Sequence, residues 1–352
     1  MSAAAIESLR QAVLAAGSDG LRIRGGGSKD FYGQAFAGAI LDTRALAGIV
    51  AYEPAELVLT ARAGTPLAEV EAALADQGQM LAFEPPRFGA ATVGGCVAAG
   101  LSGPRRIAAG AARDHILGVQ LLDCAGEVLN FGGQVMKNVA GFDVSRLMAG
   151  SLGTLGVILQ VSFKVLPRPA AEVSLAFQMG QDQALHALNR WAGQPLPISA
   201  SCWQDGLLCL RLSGAAAAVA TARRQLGGEP LPSPAAEAFW RGLRDQDGGF
   251  FLGDAPLWRL SLPSTAPPVN LPGKQLIEWG GSQRWWRTRD AAESPRTAVA
   301  GLGGHATLFR GGDKAVGVFQ PLPAPLLELH RRIKQALDPR AIFGPGRLYA
   351  GL

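Results

Sequence analysis

Charged residues make up only 17% of the 352-residue chain, against about 25% in an average globular protein. So little charge cannot solvate every face, and part of the surface is expected to meet a partner. The four cysteines, at 96, 124, 202 and 209, show no C-x-x-C spacing. That argues against iron–sulfur ligation and a four-cysteine zinc site, no metal is expected, and a chain of this length does not need a disulfide framework. A reducing, cytoplasmic compartment is the expectation. Long apolar runs are missing: residues 153–161 contain Gly and Gln and fall far short of the 18 or so apolar residues that span a bilayer. No transmembrane segment is expected, and the start of the chain, with Glu7 and Arg10 where a secretory h-region must be unbroken, reads as an amphipathic helix. The net charge of +5 comes without a repeated basic stripe, so nucleic acid is not an expected partner.

The length suggests about two domains, each able to bury a core. Residues 1–168 hold 14 Lys and Arg against 14 Asp and Glu, so the whole excess of +5 lies after residue 168, where all seven tryptophans also fall. A boundary is therefore expected at Pro167-Arg168-Pro169, giving a first domain over 1–168, a second over 169–330, and a tail over 331–352 that returns to the first.

Glycine is abundant, 46 residues, without a collagen period or Gly/Ser tract, so the glycines serve local turns. Leu21-Arg22-Ile23-Arg24 alternates as a strand and enters Gly25-Gly26-Gly27-Ser28-Lys29. Residues without Cβ let successive N–H groups converge, and a lysine adds charge, which together suit a pyrophosphate; a plain turn between two strands is the alternative. A second strand, Ile40-Leu41-Asp42, follows, whereas a Rossmann or P-loop turn opens a helix. Next come a strand near 56–60 and a helix over 67–77 that Thr65-Pro66 caps and Gly78 ends. The small, apolar 92–103 segment has hydroxyls at both ends, suiting either close approach to a flat ligand or tight helix packing. A hairpin over 116–131 follows, and a third glycine run, 150–156, leads from a helix into a strand.

These motifs resemble the vanillyl-alcohol-oxidase, or PCMH-type, FAD-binding family. The resemblance rests on RGGGS at 24–28, TVGG at 92–95, RDHILGV at 113–119 and KNVAGFDVSRLMAGSLGTLGVI at 137–158, in family order. Within the family, LSGPRRIAAGAARDHILGV at 101–119, GGHATLFRGGD at 303–313 and the ending DPRAIFGPGRLYAGL are similar to the smaller FAD-binding subunits of bacterial glycolate oxidases. The resemblance implies an α+β fold that is not Rossmann: an FAD domain of two α/β subdomains and a smaller C-terminal α/β domain. It implies Gly25, Gly26, Gly27 and Ser28 as the pyrophosphate loop. It places Thr92, Val93, Gly94, Gly95, Ser102, Gly103 and Arg113 at the cofactor, with Gly153, Thr154, Gly156, Val157 and Ile158 on the strand edge closing on it.

The sequence departs from the family twice. Members with covalent FAD carry a histidine in or beside the first glycine loop, where this chain has Ser28 and Lys29, so noncovalent FAD is implied. The larger catalytic relatives carry an HxGDGN-type motif for a 2-hydroxy acid and a metal; here only Gly304-His305-Ala306 faintly echoes it. His305 and Arg310, five apart, are the candidate catalytic base and carboxylate cation. His186 and His330 read as helix-surface residues, and His115 as either a cofactor contact or a turn residue. In Arg284-Trp285-Trp286-Arg287-Thr288-Arg289, strand alternation predicts one buried tryptophan and solvated arginines, with an interface to another subunit as the alternative. The implied partners are a larger FAD-containing glycolate oxidase subunit, an iron–sulfur subunit, and through them a peripheral membrane association. Two functions remain open: an FAD subunit of a glycolate-oxidising complex that passes electrons through its flavin, and a noncatalytic FAD-binding scaffold of such a complex.

Overall fold

Alternation and turn chemistry place most of the early elements. In the computed structural model, which describes residues 2–133, 143–289 and 294–352, α1 (Ser2–Leu14) is followed by β1 (Leu21–Arg24), β2 (Ala39–Asp42), β3 (Ile49–Glu53), β4 (Val58–Arg62), α2 (Leu67–Asp76), β5 (Gln79–Met80), α3 (Val93–Ala99) and α4 (Arg106–Ala109). Then come β6 (Ile116–Leu122), β7 (Val128–Gly132), α5 (Val144–Leu147), β8 (Val157–Lys164) and β9 (Leu166–Pro167). The remainder holds β10 (Ala171–Gln178), α6 (Gln181–Ala192), β11 (Ile198–Gln204), β12 (Leu207–Gly214), α7 (Ala216–Leu226), β13 (Glu229–Pro230), α8 (Ser233–Asp245), β14 (Leu257–Ser261), β15 (Lys274–Glu278), β16 (Gln283–Arg287), α9 (Pro295–Ala300), β17 (His305–Arg310) and α10 (Ala324–Leu337). The residues 137–142 of the fourth family motif lie outside the described residues.

By packing, the chain forms two units, one of Met1–Leu101, Ala111–Pro167 and Pro321–Leu352, the other of Ser102–Gly110 and Arg168–Gln320. The first unit contains a parallel β1–β2 pair and an antiparallel sheet in the order β3-β4-β8-β6-β7. β8 serves two cores. Its Val157 and Leu159 pack with Leu9 and Val13 of α1, while Ile158, Val161 and Phe163 pack with α2 and α3. An irregularity in the β6–β8 register between Gln120 and Leu121 resets the alternation, as an extra residue in one strand does. This is the mixed α+β arrangement implied by the motifs, with no strand–glycine–helix Rossmann turn after β1. Thr65 does not cap α2; its hydroxyl exchanges hydrogen bonds with the Gly48 backbone, accepting from N–H at 2.9 Å and donating to C=O at 3.1 Å.

The second unit is built on an antiparallel eight-stranded sheet in the order β13-β10-β12-β11-β15-β16-β14-β17. Here one expectation fails. Both Trp285 and Trp286 are buried, and so are Arg284 and Arg287. β16 is an interior strand with both faces covered, so its arginines reach backbone carbonyls instead of water. Arg284 donates to Pro267 O and Ala266 O, each at 2.5 Å, and to Gly281 O at 3.1 Å, and burial pulls its pKa down to about 10. Arg284→Ala would orphan those carbonyls and leave a void. It is expected to destabilise this unit by about 3 kcal/mol, read as a fall in the urea midpoint followed by tryptophan fluorescence; an unchanged midpoint contradicts this account.

Candidate functional site

All of the cleft described here belongs to the first unit. Where β1 ends, residues 25–28 run on as a half-buried loop whose N–H groups find no acceptor among the described residues. The loop needs glycine because the backbone of the following turn presses against it: a Cβ on Gly26 would overlap the Ala90 carbonyl, and one on Gly25 would overlap the Thr92 hydroxyl. Thr92 in turn caps α3, accepting weakly from Gly95 N–H at 3.4 Å. Gly94 lets α3 lie on the end of β4, since its N–H donates to Ala63 O at 2.8 Å and an added Cβ would stand 2.8 Å from Ala63 Cβ. The third wall is the turn before β8. Leu152 sits at φ 51°, a conformation unusual for a branched residue, held by its N–H donating to Ala98 O at 2.8 Å.

These walls enclose an open cleft of about 720 Å³, solvent-facing space included. Arg24, Lys29 and Arg347 line it with one carboxylate, Asp30. Asp30 is already engaged by Arg24 Nε at 2.8 Å and Arg22 Nη2 at 2.9 Å. Arg347 holds the loop that follows, donating to Gln34 O at 2.7 Å and Tyr32 O at 2.5 Å; burial, then the nearby Arg22, lowers its pKa. One end of the cleft therefore presents cations together with N–H groups that have no acceptor among the described residues, the chemistry of a diphosphate site. The other end is small and apolar, lined by Ala63, Ala98, Ala99 and Ile158, and suits a flat ring system. The residues present fit a dinucleotide cofactor.

Ten of the residues expected at the cofactor line this cleft: Gly25, Gly26, Gly27, Ser28, Thr92, Gly94, Gly95, Gly153, Gly156 and Ile158. Val93, Thr154 and Val157 lie buried beside it. Thr154 donates its hydroxyl to Ser151 O at 2.7 Å and presents its own C=O to Lys334. Arg113 is exposed on a short 3-10 turn, away from the cleft lining. Ser102 and Gly103 pack with the second unit, where Gly103 O accepts from the Trp279 indole N–H at 3.0 Å. His115 is buried against the Phe83 ring, its Nδ1 3.3 Å from Lys164 O. His305 and Arg310 occupy opposite ends of β17, about 16 Å apart at about 3.3 Å per strand residue, and are not brought together. Arg310 donates instead to Gln246 Oε1 at 3.0 Å. Partial burial and then Arg259 lower the pKa of His305.

Residues 2–132 match the family model described as an FAD binding domain. The chain is 49% identical over all 352 residues to the glycolate oxidase subunit GlcE of Escherichia coli (strain K12), covering 98% of that protein. It is 28% identical over 138 residues to the glycolate oxidase subunit GlcD of Bacillus subtilis (strain 168), a match that spans 39% of this chain and 29% of that one. Among solved structures, alkyldihydroxyacetonephosphate synthase superposes with a TM-score of 0.65 at 14% identity, over 96% of this chain and 74% of the other. That likeness shows a shared fold. Full-length identity to GlcE, an FAD-binding-domain match and a cleft built for a dinucleotide together place this chain in the family of FAD-binding glycolate oxidase subunits, to which it belongs.

Proposed function

We propose that this chain is the noncovalent FAD subunit of a cytoplasmic, heteromeric glycolate dehydrogenase, working with a larger FAD-containing subunit and an iron–sulfur subunit. The observation that carries this reading is the N–H run at residues 25–28, which finds no acceptor among the described residues, in a chain aligned end to end with GlcE. Bound FAD supplies acceptance of a hydride and its release as single electrons. The chain's own residues do the rest. The 25–28 amides and the Arg24 and Lys29 cations would hold the diphosphate. Ala63, Ala98 and Ile158 exclude water from the ring end. Ser28 and Lys29 give the flavin no histidine to bond to. Cys96 is no substitute, because burial raises its thiol pKa to about 12 and leaves it protonated.

Acid precipitation of the purified protein is accordingly expected to leave a white pellet and a yellow supernatant carrying intact FAD. In the intact protein, absorbance near 450 nm should bleach with glycolate only when the larger subunit is present. A yellow pellet refutes noncovalent attachment, and bleaching by glycolate in the isolated chain moves substrate oxidation onto this subunit. The scaffold reading keeps one observation in its favour: β17 holds His305 and Arg310 apart, so those two residues do not form a base and carboxylate clamp together.

A further inference from the structure

Lys334 of α10 is 8% exposed, and its ammonium donates to three oxygens: Thr154 O and Phe343 O at 2.7 Å each, and Asp338 Oδ2 at 2.6 Å. Asp338 is 1% exposed and also accepts from Ile342 N–H at 3.2 Å and Phe343 N–H at 2.8 Å. Ile342 and Gly344 in turn extend the pairing of β1, Leu21 N–H donating to Ile342 O at 2.6 Å and Gly344 N–H to Leu21 O at 3.1 Å. β1 runs into the glycine loop, and Thr154 lies in the turn with Gly153 and Gly156. One buried ammonium thus ties together the backbone segments that carry two walls of the cleft, though neither Lys334 nor Asp338 lines it.

Stability alone does not call for this arrangement. A buried ion pair is often no better than two well-packed apolar side chains, because desolvating both charges offsets their attraction. Burial indeed lowers the Lys334 pKa, with Asp338 opposing the shift. What an apolar pair cannot do is fix the Thr154 and Phe343 carbonyls at hydrogen-bond distance from one point. We propose that Lys334 and Asp338 are a positioning pair that sets the separation of the glycine loop and the 153–156 turn to the dimensions of bound FAD. This rests on the cleft being the FAD site.

The test uses the full chain, stripped of flavin and titrated with FAD. Lys334→Met leaves Asp338 buried without its cation, held only by the Ile342 and Phe343 N–H groups, while Lys334→Met with Asp338→Leu removes both charges. The single variant is expected to lower the apo thermal midpoint and weaken FAD binding. The double variant leaves the Thr154 and Phe343 carbonyls and the Ile342 and Phe343 N–H groups without those partners, so it is expected to recover only part of the midpoint, while its FAD dissociation constant stays raised by about tenfold or more, the scale known for outer-shell partners of a bound metal, with an altered flavin circular dichroism band. The proposal is overturned if the double variant regains wild-type affinity along with stability, if the single variant binds FAD normally, or if the double variant cannot fold, since the pair would then serve the fold itself. Wild-type protein that fails to bind FAD would instead refute the assignment of the cleft.

Discussion

Gly26→Ala is expected to yield a folded, colourless protein. The glycine has no Cβ because the backbone of residue 90 occupies the place a Cβ would take. Adding one methyl group forces the 25–28 loop and the 89–92 turn apart. The same displacement disperses the N–H groups that converge on the diphosphate. Hydrogen bonds to a charged group contribute about 1.5–3 kcal/mol each, so losing two costs about 3–6 kcal/mol, or at least 10²-fold in FAD affinity. The hydrophobic clusters on either side of β8 contain none of residues 25–28 and, of the displaced turn, only Ala91, so the apo protein should stay folded. The check is the ratio of absorbance near 450 nm to that at 280 nm after purification, with far-ultraviolet circular dichroism and an FAD titration. Flavin content equal to wild type would remove the 25–28 amides from the site.

Much of that loop was legible because its signal is local. Arg22 and Ile23 alternate, three glycines follow, and the second strand arrives soon after, which together exclude a Rossmann turn. The 92–103 segment was legible only in part. Its glycines serve both readings at once: they pack α3 onto Ala63, and they leave Gly94 and Gly95 open to the cleft. Its end was assigned by motif to the cofactor, yet Ser102 and Gly103 pack with the second unit, a long-range outcome that no local pattern encodes.

The residues that sequence reasoning missed share that cause. Arg347 meets the cleft from more than 300 positions beyond the loop it holds, and Lys334 reaches Thr154 across 180 positions. Neither sits in a glycine motif, and a lysine in an amphipathic helix with the pattern of α10 reads as a solvated residue. The one signal available was the return of the 331–352 tail to the first domain, and it did not specify which side chain would be buried. The arginines of β16 were misread for a related reason. Alternation says which residues share a face, but not whether both faces of a strand are covered.

The last expected result decides between electron carrier and scaffold. If this subunit's flavin lies on the path from glycolate to the acceptor, a heteromer assembled with the Gly26→Ala subunit should keep its composition but lose acceptor reduction by about 10²-fold or more. The protein places and tunes a cofactor but cannot replace its redox chemistry. Flavin on the proposed larger subunit should still be reduced by glycolate in that complex, because the substitution leaves that subunit untouched. His305→Ala and Arg310→Ala provide the contrast. β17 holds the two residues about 16 Å apart by strand geometry, so they are not expected to act together as base and clamp. Each variant should keep its FAD and change turnover less than about threefold, whereas losing a base or positioning group costs about 10²-fold or more. The measurement is steady-state glycolate oxidation by each assembled complex, with flavin content and mass determined in parallel. Near-normal turnover in the flavin-free complex would make this chain a scaffold. A 10²-fold loss in His305→Ala with FAD retained would make it a substrate-oxidising subunit in its own right.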